Sequence, residues 1–148
     1  MTVSEWLDYF GLVFVVLLLI PNIFVKIESR QAQESRALAV TEQIGRYACI
    51  VLMIFRVPGT WFGYPSGEAF ALSLIVNTIL SLTYCVLFVL LRKRDTLARA
   101  ILLSVLPSLV FLIEGAASLS IPLTVAALLF AGTHITISVK NAKYVRKN

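Results

Sequence analysis

Residues 44–64, IGRYACIVLMIFRVPGTWFGY, decide the topology of this chain. Read as a membrane crossing, they make the number of crossings odd. Read as a segment that dips in and returns, they make it even. The run is uninterrupted only over residues 48–55, and then come Arg56, Pro58 and Gly59. Proline removes a helix donor and clashes with the preceding turn, so the helix has a natural stopping point there.

Composition places the chain in lipid before any motif is considered. Its 148 residues are 59% hydrophobic and only 14% charged, with a mean hydropathy of +0.88. Ordinary soluble domains carry about 25% charged residues. A bilayer crossing needs about 20 mostly apolar residues. Five stretches qualify as spans of one transmembrane domain covering residues 1–148: 6–25, 44–64, 69–91, 100–119 and 121–139. The start, MTVSEWLDYF, carries Glu5 and Asp8 and no basic residue, so the first run reads as a retained span, not a cleaved leader.

Charge placement settles the doubtful second span. Twelve of the 13 Lys and Arg residues fall in three clusters. Lys26, Arg30, Arg36 and Arg46 flank the first connection, residues 26–43. Arg92, Lys93, Arg94 and Arg99 flank the third. Lys140, Lys143, Arg146 and Lys147 form the tail. Five crossings put all three clusters on one face; four do not. The positive-inside rule therefore predicts an all-α polytopic bundle of five transmembrane helices, with the amino terminus outside and the carboxyl terminus inside. The net charge of +5 suits anionic headgroups at that face, and nothing suggests a nucleic-acid partner. The first connection is rich in helix formers, which predicts a short cytoplasmic helix running into the second span, with Thr41 as a cap and a Glu42–Arg46 pair.

Arg56, the cation outside the clusters, is then on the second helix. It lies ten residues beyond Arg46, about 15 Å along the axis. Trp61, Phe62 and Tyr64 read as the outer aromatic belt. Glu114, fifteen residues beyond Arg99, reaches a similar level. Ionisable groups inside a membrane are functional candidates because leaving them unpaired is costly. An Arg56–Glu114 ion pair joining helices two and four is the structural alternative.

Helical spacing extends the list. Glu42, Arg46, Cys49, Met53 and Arg56 form one stripe on helix two, and Ser73, Asn77, Ser81 and Tyr84 another on helix three. Such stripes face the bundle interior. His134, the one histidine, shares a face of helix five with Ser138 and Asn141. With Asn22, Glu42, Arg46, Tyr84 and Asn141 it defines a cytoplasm-side cluster able to hold a headgroup or relay a proton. The candidate ligand-binding set is therefore Glu42, Arg46, Arg56, Asn77, Tyr84, Glu114 and His134, or a simple scheme of polar packing between helices.

Catalytic and metal chemistry find no support. One His and two separated Cys do not make a zinc site. No C-x-x-C, G-x-S-x-G, H-E-x-x-H or Walker loop appears. No cofactor and no catalytic residue is expected.

The runs TEQIGRYACIVLMIF (41–55), PN (21–22), LPSLVFLIEG (106–115) and AGTHITISVKN (131–141) resemble uncharacterised families of small bacterial five-helix membrane proteins. The resemblance implies a bacterial inner-membrane location and brings no activity with it. The expected function is a small transporter or ligand-binding membrane protein with a polar site between helices two, three and four. The alternatives are a non-catalytic accessory subunit or, with less to support it, an intramembrane lipid-modifying enzyme. The bilayer, a second copy of the chain, or another membrane protein is the expected partner.

Overall fold

A computed structural model describes residues 6–24, 35–91, 93 and 96–147. Over these residues the chain is all helical: α1 (Tyr9–Phe24), α2 (Arg36–Ile54), α3 (Gly67–Leu91), α4 (Leu97–Ala117) and α5 (Ile121–Lys147). Four of them, α2 to α5, are long and apolar enough to cross a membrane. This is a multi-pass membrane architecture. The shorter α1 has 16 residues, about 24 Å at the helical rise.

The helices pack as a closed ring in the spatial order α1, α2, α5, α4, α3 and back to α1. Phe14, Leu18, Met53, Phe88, Val110, Phe111, Leu123 and Phe130 fill the middle. The share of buried residues is 44% along α4 against 22% along each of α2, α3 and α5, which makes α4 the most enclosed spanning helix. Its small residues allow this: Ser104, Ser108 and Gly115 are all buried. A Cβ on Gly115 would lie 2.9 Å from the Thr124 nitrogen, so only glycine lets α5 start so close to α4.

The expected second span is displaced. Helix α2 begins at Arg36, not at residue 44, and ends at Ile54, not at residue 64. Its N-cap is Ser35, whose hydroxyl accepts from the Leu38 N–H. Thr41 caps nothing: its hydroxyl donates back to the Ala37 carbonyl at 2.9 Å. The expected cytoplasmic helix running into the second span is present as the first two turns of α2 itself. At the other end Phe55 is extended (φ −111°, ψ 125°). Two physical reasons stop the helix there. Val57 precedes Pro58 and is biased away from helix, and the backbone finds other partners. Asp8 N–H donates to Ile54 O at 2.8 Å and Arg56 N–H to Trp6 O at 2.9 Å, which pairs Leu7 with Phe55 as a single antiparallel bridge.

Arg56 therefore sits beyond the helix, in a connection that runs to Ser66. Gly59 and Gly63 take positive φ (81° and 83°) and turn this connection back across the end of the bundle. There Trp61 bridges Ser120, in the turn between α4 and α5, and Ile121 N–H donates to Thr60 O at 3.3 Å. The segment before α1, the α2–α3 connection and the α4–α5 turn thus gather at one end of the ring.

Close approach at Gly11 is the tightest such contact. A Cβ there would lie 1.9 Å from the Met53 carbonyl oxygen, whereas one on Gly132 meets nothing within 4 Å. Gly11→Ala is expected to destabilise the bundle by about 1–3 kcal/mol through overpacking. Gly132→Ala is expected to be neutral or to stabilise by up to about 1 kcal/mol through helix propensity. Thermal unfolding of both variants in the same detergent checks the contrast.

Candidate functional site

The site is built around Glu114, three residues before the end of α4 and 5% exposed. The α4–α5 turn holds it in place. Ser118 donates to the Glu114 carbonyl through its N–H (3.0 Å) and its hydroxyl (2.7 Å), and Ser120 N–H donates to Gly115 O at 2.9 Å. The carboxylate itself takes three donors from two other elements. Tyr64, in the α2–α3 connection, donates its hydroxyl to Oε1. From α3, Ser73 Oγ (2.9 Å) and Asn77 Nδ2 (2.7 Å) both donate to Oε2. Asn77 Nδ2 also lies 3.3 Å from Ser73 Oγ.

Each donor is positioned by its surroundings. Ser73, Asn77 and Ser81 are successive turns of one α3 face, and all three are buried. The Tyr64 ring packs edge-on against Phe70 (4.9 Å between centroids), which in turn meets Phe10 of α1 at 5.5 Å. Burial pushes the Tyr64 phenol well above its ordinary range, and the facing Glu114 carboxylate pushes it further. Its hydroxyl therefore keeps its proton and acts as a donor. Among the described residues, Glu114 has hydrogen-bond donors but no ion-pair partner.

The expected Arg56–Glu114 pair is not formed. Arg56 Nη2 meets Asp8 Oδ2 at 3.0 Å, and its guanidinium lies over the Trp61 ring at 4.5 Å. Asp8 does two things at once. Its Oδ1 accepts from Gly11 N–H at 3.0 Å, capping α1, while Oδ2 holds Arg56. The aromatic belt divides accordingly. Trp61 stacks on Arg56, Tyr64 turns inward, and Phe62 is exposed. Asp8 and Tyr64 were missed as partners because they lie 48 and 50 residues from the groups they bind.

A second cluster lies between α2 and α5. Glu42 Oε1 accepts from Arg46 on the next turn and from His134 Nδ1 at 3.0 Å. The His134 ring stacks on Phe130 at 4.7 Å. A Cβ on Gly45 would lie 3.1 Å from the Phe130 Cα, so glycine permits this helix approach. Glu42 is buried, while the Arg46 side chain is 43% exposed. This cluster joins the helices and leaves the charge of Arg46 in contact with the surroundings.

The seven candidate residues therefore do not form one site. In the ring, α2 packs on α1 and α5, and α3 on α1 and α4. Glu114 and Asn77 belong to the α3–α4 seam, Glu42, Arg46 and His134 to the α2–α5 seam, and Arg56 to the end connection. Tyr84 is buried on α3, where its ring lies 5.8 Å from Phe88. The side chain of Asn22 lies outside the described residues. No group of three or more His, Cys, Asp and Glu able to hold a metal occurs among the described residues. Cys49 and Cys85 are both free thiols.

No protein-family model, curated protein or solved structure matches the chain, so the site stands on its geometry alone.

The two readings of Arg56 predict different energetics. A double-mutant cycle of Asp8→Asn with Arg56→Gln is expected to show a coupling of about 1 kcal/mol or more. The cycle of Arg56→Gln with Glu114→Gln is expected to be additive within about 0.5 kcal/mol. Thermal midpoints in detergent report both.

Proposed function

We propose that this is a small transport or ligand-binding protein of the bacterial cytoplasmic membrane, working through the α3–α4 seam at Glu114. One observation carries the reading: a carboxylate on a spanning helix is buried among three donors, with no ion-pair partner among the described residues. A packing role needs less. Polar residues that only hold helices together are satisfied by each other, whereas an acidic side chain set in the seam without a cation among the described residues is costly to keep for packing alone. The Asp8–Arg56 and Glu42–Arg46–His134 contacts read as structural, since each carboxylate there has its cation.

The proposal includes five crossings, with α1 as the first, the amino terminus outside and the carboxyl terminus inside. Two facts support this topology. The three connections at the Glu114 end contain one basic residue, Arg56, which is already paired. The clusters of Lys and Arg belong to the opposite ends of the same helices. Local thinning of the bilayer accommodates a helix of 16 residues at modest cost.

The alternative is an accessory subunit with no site of its own. It draws on the outer face of α2, where exposed Val40, Ile44 and Tyr47 border a shallow groove. A second copy or another membrane protein would cover such a face.

Two experiments test the proposal. Glu114→Gln keeps the shape of the side chain and removes its charge. Proteoliposomes are assayed for uptake of labelled amino acids, polyamines and sugars, with thermal stabilisation by the same solutes as a second readout. One class is expected to respond in the native protein and to lose its response in the variant while the helical circular dichroism stays unchanged. A response indifferent to Glu114, or none at all, sinks the site and favours the accessory role. For topology, Thr2→Cys and Lys147→Cys are placed in a background lacking Cys49 and Cys85. An impermeant maleimide is expected to reach them from opposite sides of the membrane; labelling from one side removes the fifth crossing.

A further inference from the structure

The hydroxyls of α3, α4 and α5 follow a common habit. Thr78, Ser104, Ser108 and Thr124 each donate to the carbonyl four residues back, at 2.7 to 2.9 Å. Ser81 does not. Its Oγ is fully buried and has no hydrogen-bond partner. The same is true of Asn77 Oδ1, one turn earlier on the same face of α3. Two bare oxygens inside a membrane bundle are expensive, because each has lost its water and gained no donor in return. Native structures keep few such groups.

These oxygens are not electrically neutral bystanders. The Asn77 amide gives its N–H to the Glu114 carboxylate, so electron density shifts toward Oδ1 and strengthens it as an acceptor. Glu114 supplies one negative charge behind it, with no Lys or Arg paired to it among the described residues. Its three donors also leave one of about four carboxylate lone-pair positions open. The set offers oxygens only, from a carboxylate, an amide and a hydroxyl. Hard cations take such ligands, whereas transition metals favour nitrogen or sulfur. The charge count selects further: one carboxylate balances a monovalent ion and leaves a divalent one under-compensated.

Resting on the reading of Glu114 as a binding site, we propose that Asn77 Oδ1 and Ser81 Oγ, backed by the Glu114 carboxylate, bind a small monovalent cation such as sodium, potassium or ammonium. The cation satisfies both bare oxygens and neutralises the seam. Tyr64 and Ser73 hold the carboxylate in place and do not themselves need to touch the ion. Ser108 of α4 lies at the level of Ser81 in the antiparallel register set by the Glu114 contacts to Ser73 and Asn77. Its hydroxyl oxygen is a further ligand that this register offers.

The test uses the purified full-length chain in uncharged phosphatidylcholine nanodiscs at fixed pH. Sodium, potassium or ammonium chloride replaces N-methylglucamine chloride at constant ionic strength, and the thermal midpoint is followed. At least one of the three cations is expected to raise the midpoint saturably. Ser81→Ala separates binding from folding. It removes an unpartnered hydroxyl, so in N-methylglucamine it is expected to be as stable as the native chain or more so. Its apparent cation affinity is expected to fall by about tenfold or more. Glu114→Gln is expected to abolish the cation response. An unchanged midpoint across all salts, or a Ser81→Ala titration that overlays the native one, overturns the proposal. Solute responses that depend on Glu114 but persist in N-methylglucamine would remove the cation and keep the binding seam. Loss of both would remove the seam as well.

Discussion

A carboxylate cannot stay buried between apolar helices without donors, and Glu114 obtains them from two other parts of the chain. Its own helix ends just beyond it in a turn that folds back on its carbonyl. The α3 face supplies Ser73 and Asn77, and the α2–α3 connection supplies Tyr64. Satisfying one buried charge thereby fixes the register of α3 against α4. It also draws a loop of the chain across the end of the bundle. The cost of an unsatisfied group in lipid makes this arrangement specific, since a slip of either helix by one residue would strand the charge.

The same end of the molecule solves a second problem. Helix α2 stops before its connection begins, leaving backbone groups that need partners. The stretch before α1 provides them as a short antiparallel pairing, and Asp8 adds both a helix cap and the Arg56 contact. Charge and backbone are satisfied by the same few residues, so Arg56 is absorbed into structure. Among the described residues, Glu114 is left with donors alone. That difference separates the two ionisable groups, which look equivalent in the sequence.

The opposite half of the bundle is organised by Glu42, which bridges α2 to α5 through His134 while keeping Arg46 nearby. Small residues make both seams possible. Gly45 admits Phe130, and Gly115 admits the start of α5. Van der Waals contact and hydrogen bonding, not water exclusion, hold helices together in lipid, so close approach at glycine and buried polar contacts are the available means.

Hydropathy and charge placement alone determined that this is an all-helical, multi-pass membrane protein with its long apolar helices near the predicted places. They also picked out the buried face of α3 and Glu114 as a charged residue inside the bundle, because periodicity and the rarity of charge in apolar runs are local signals. Contacts across the ring were not legible. The helix that runs out of the first connection into the second span was legible from its helix formers, but its end was not: α2 stops ten residues before residue 64, where its backbone pairs with residues about 48 positions away. The partners of Arg56, Glu114 and His134 lie 48, 37 to 50, and 92 residues distant. Only packing chooses among such candidates, because each helix turns the same stripe inward whichever neighbour it meets. The closed ring put α2 beside α5 instead of α3, which keeps Glu42, Arg46 and His134 together and holds the α2 stripe apart from Asn77 and Glu114.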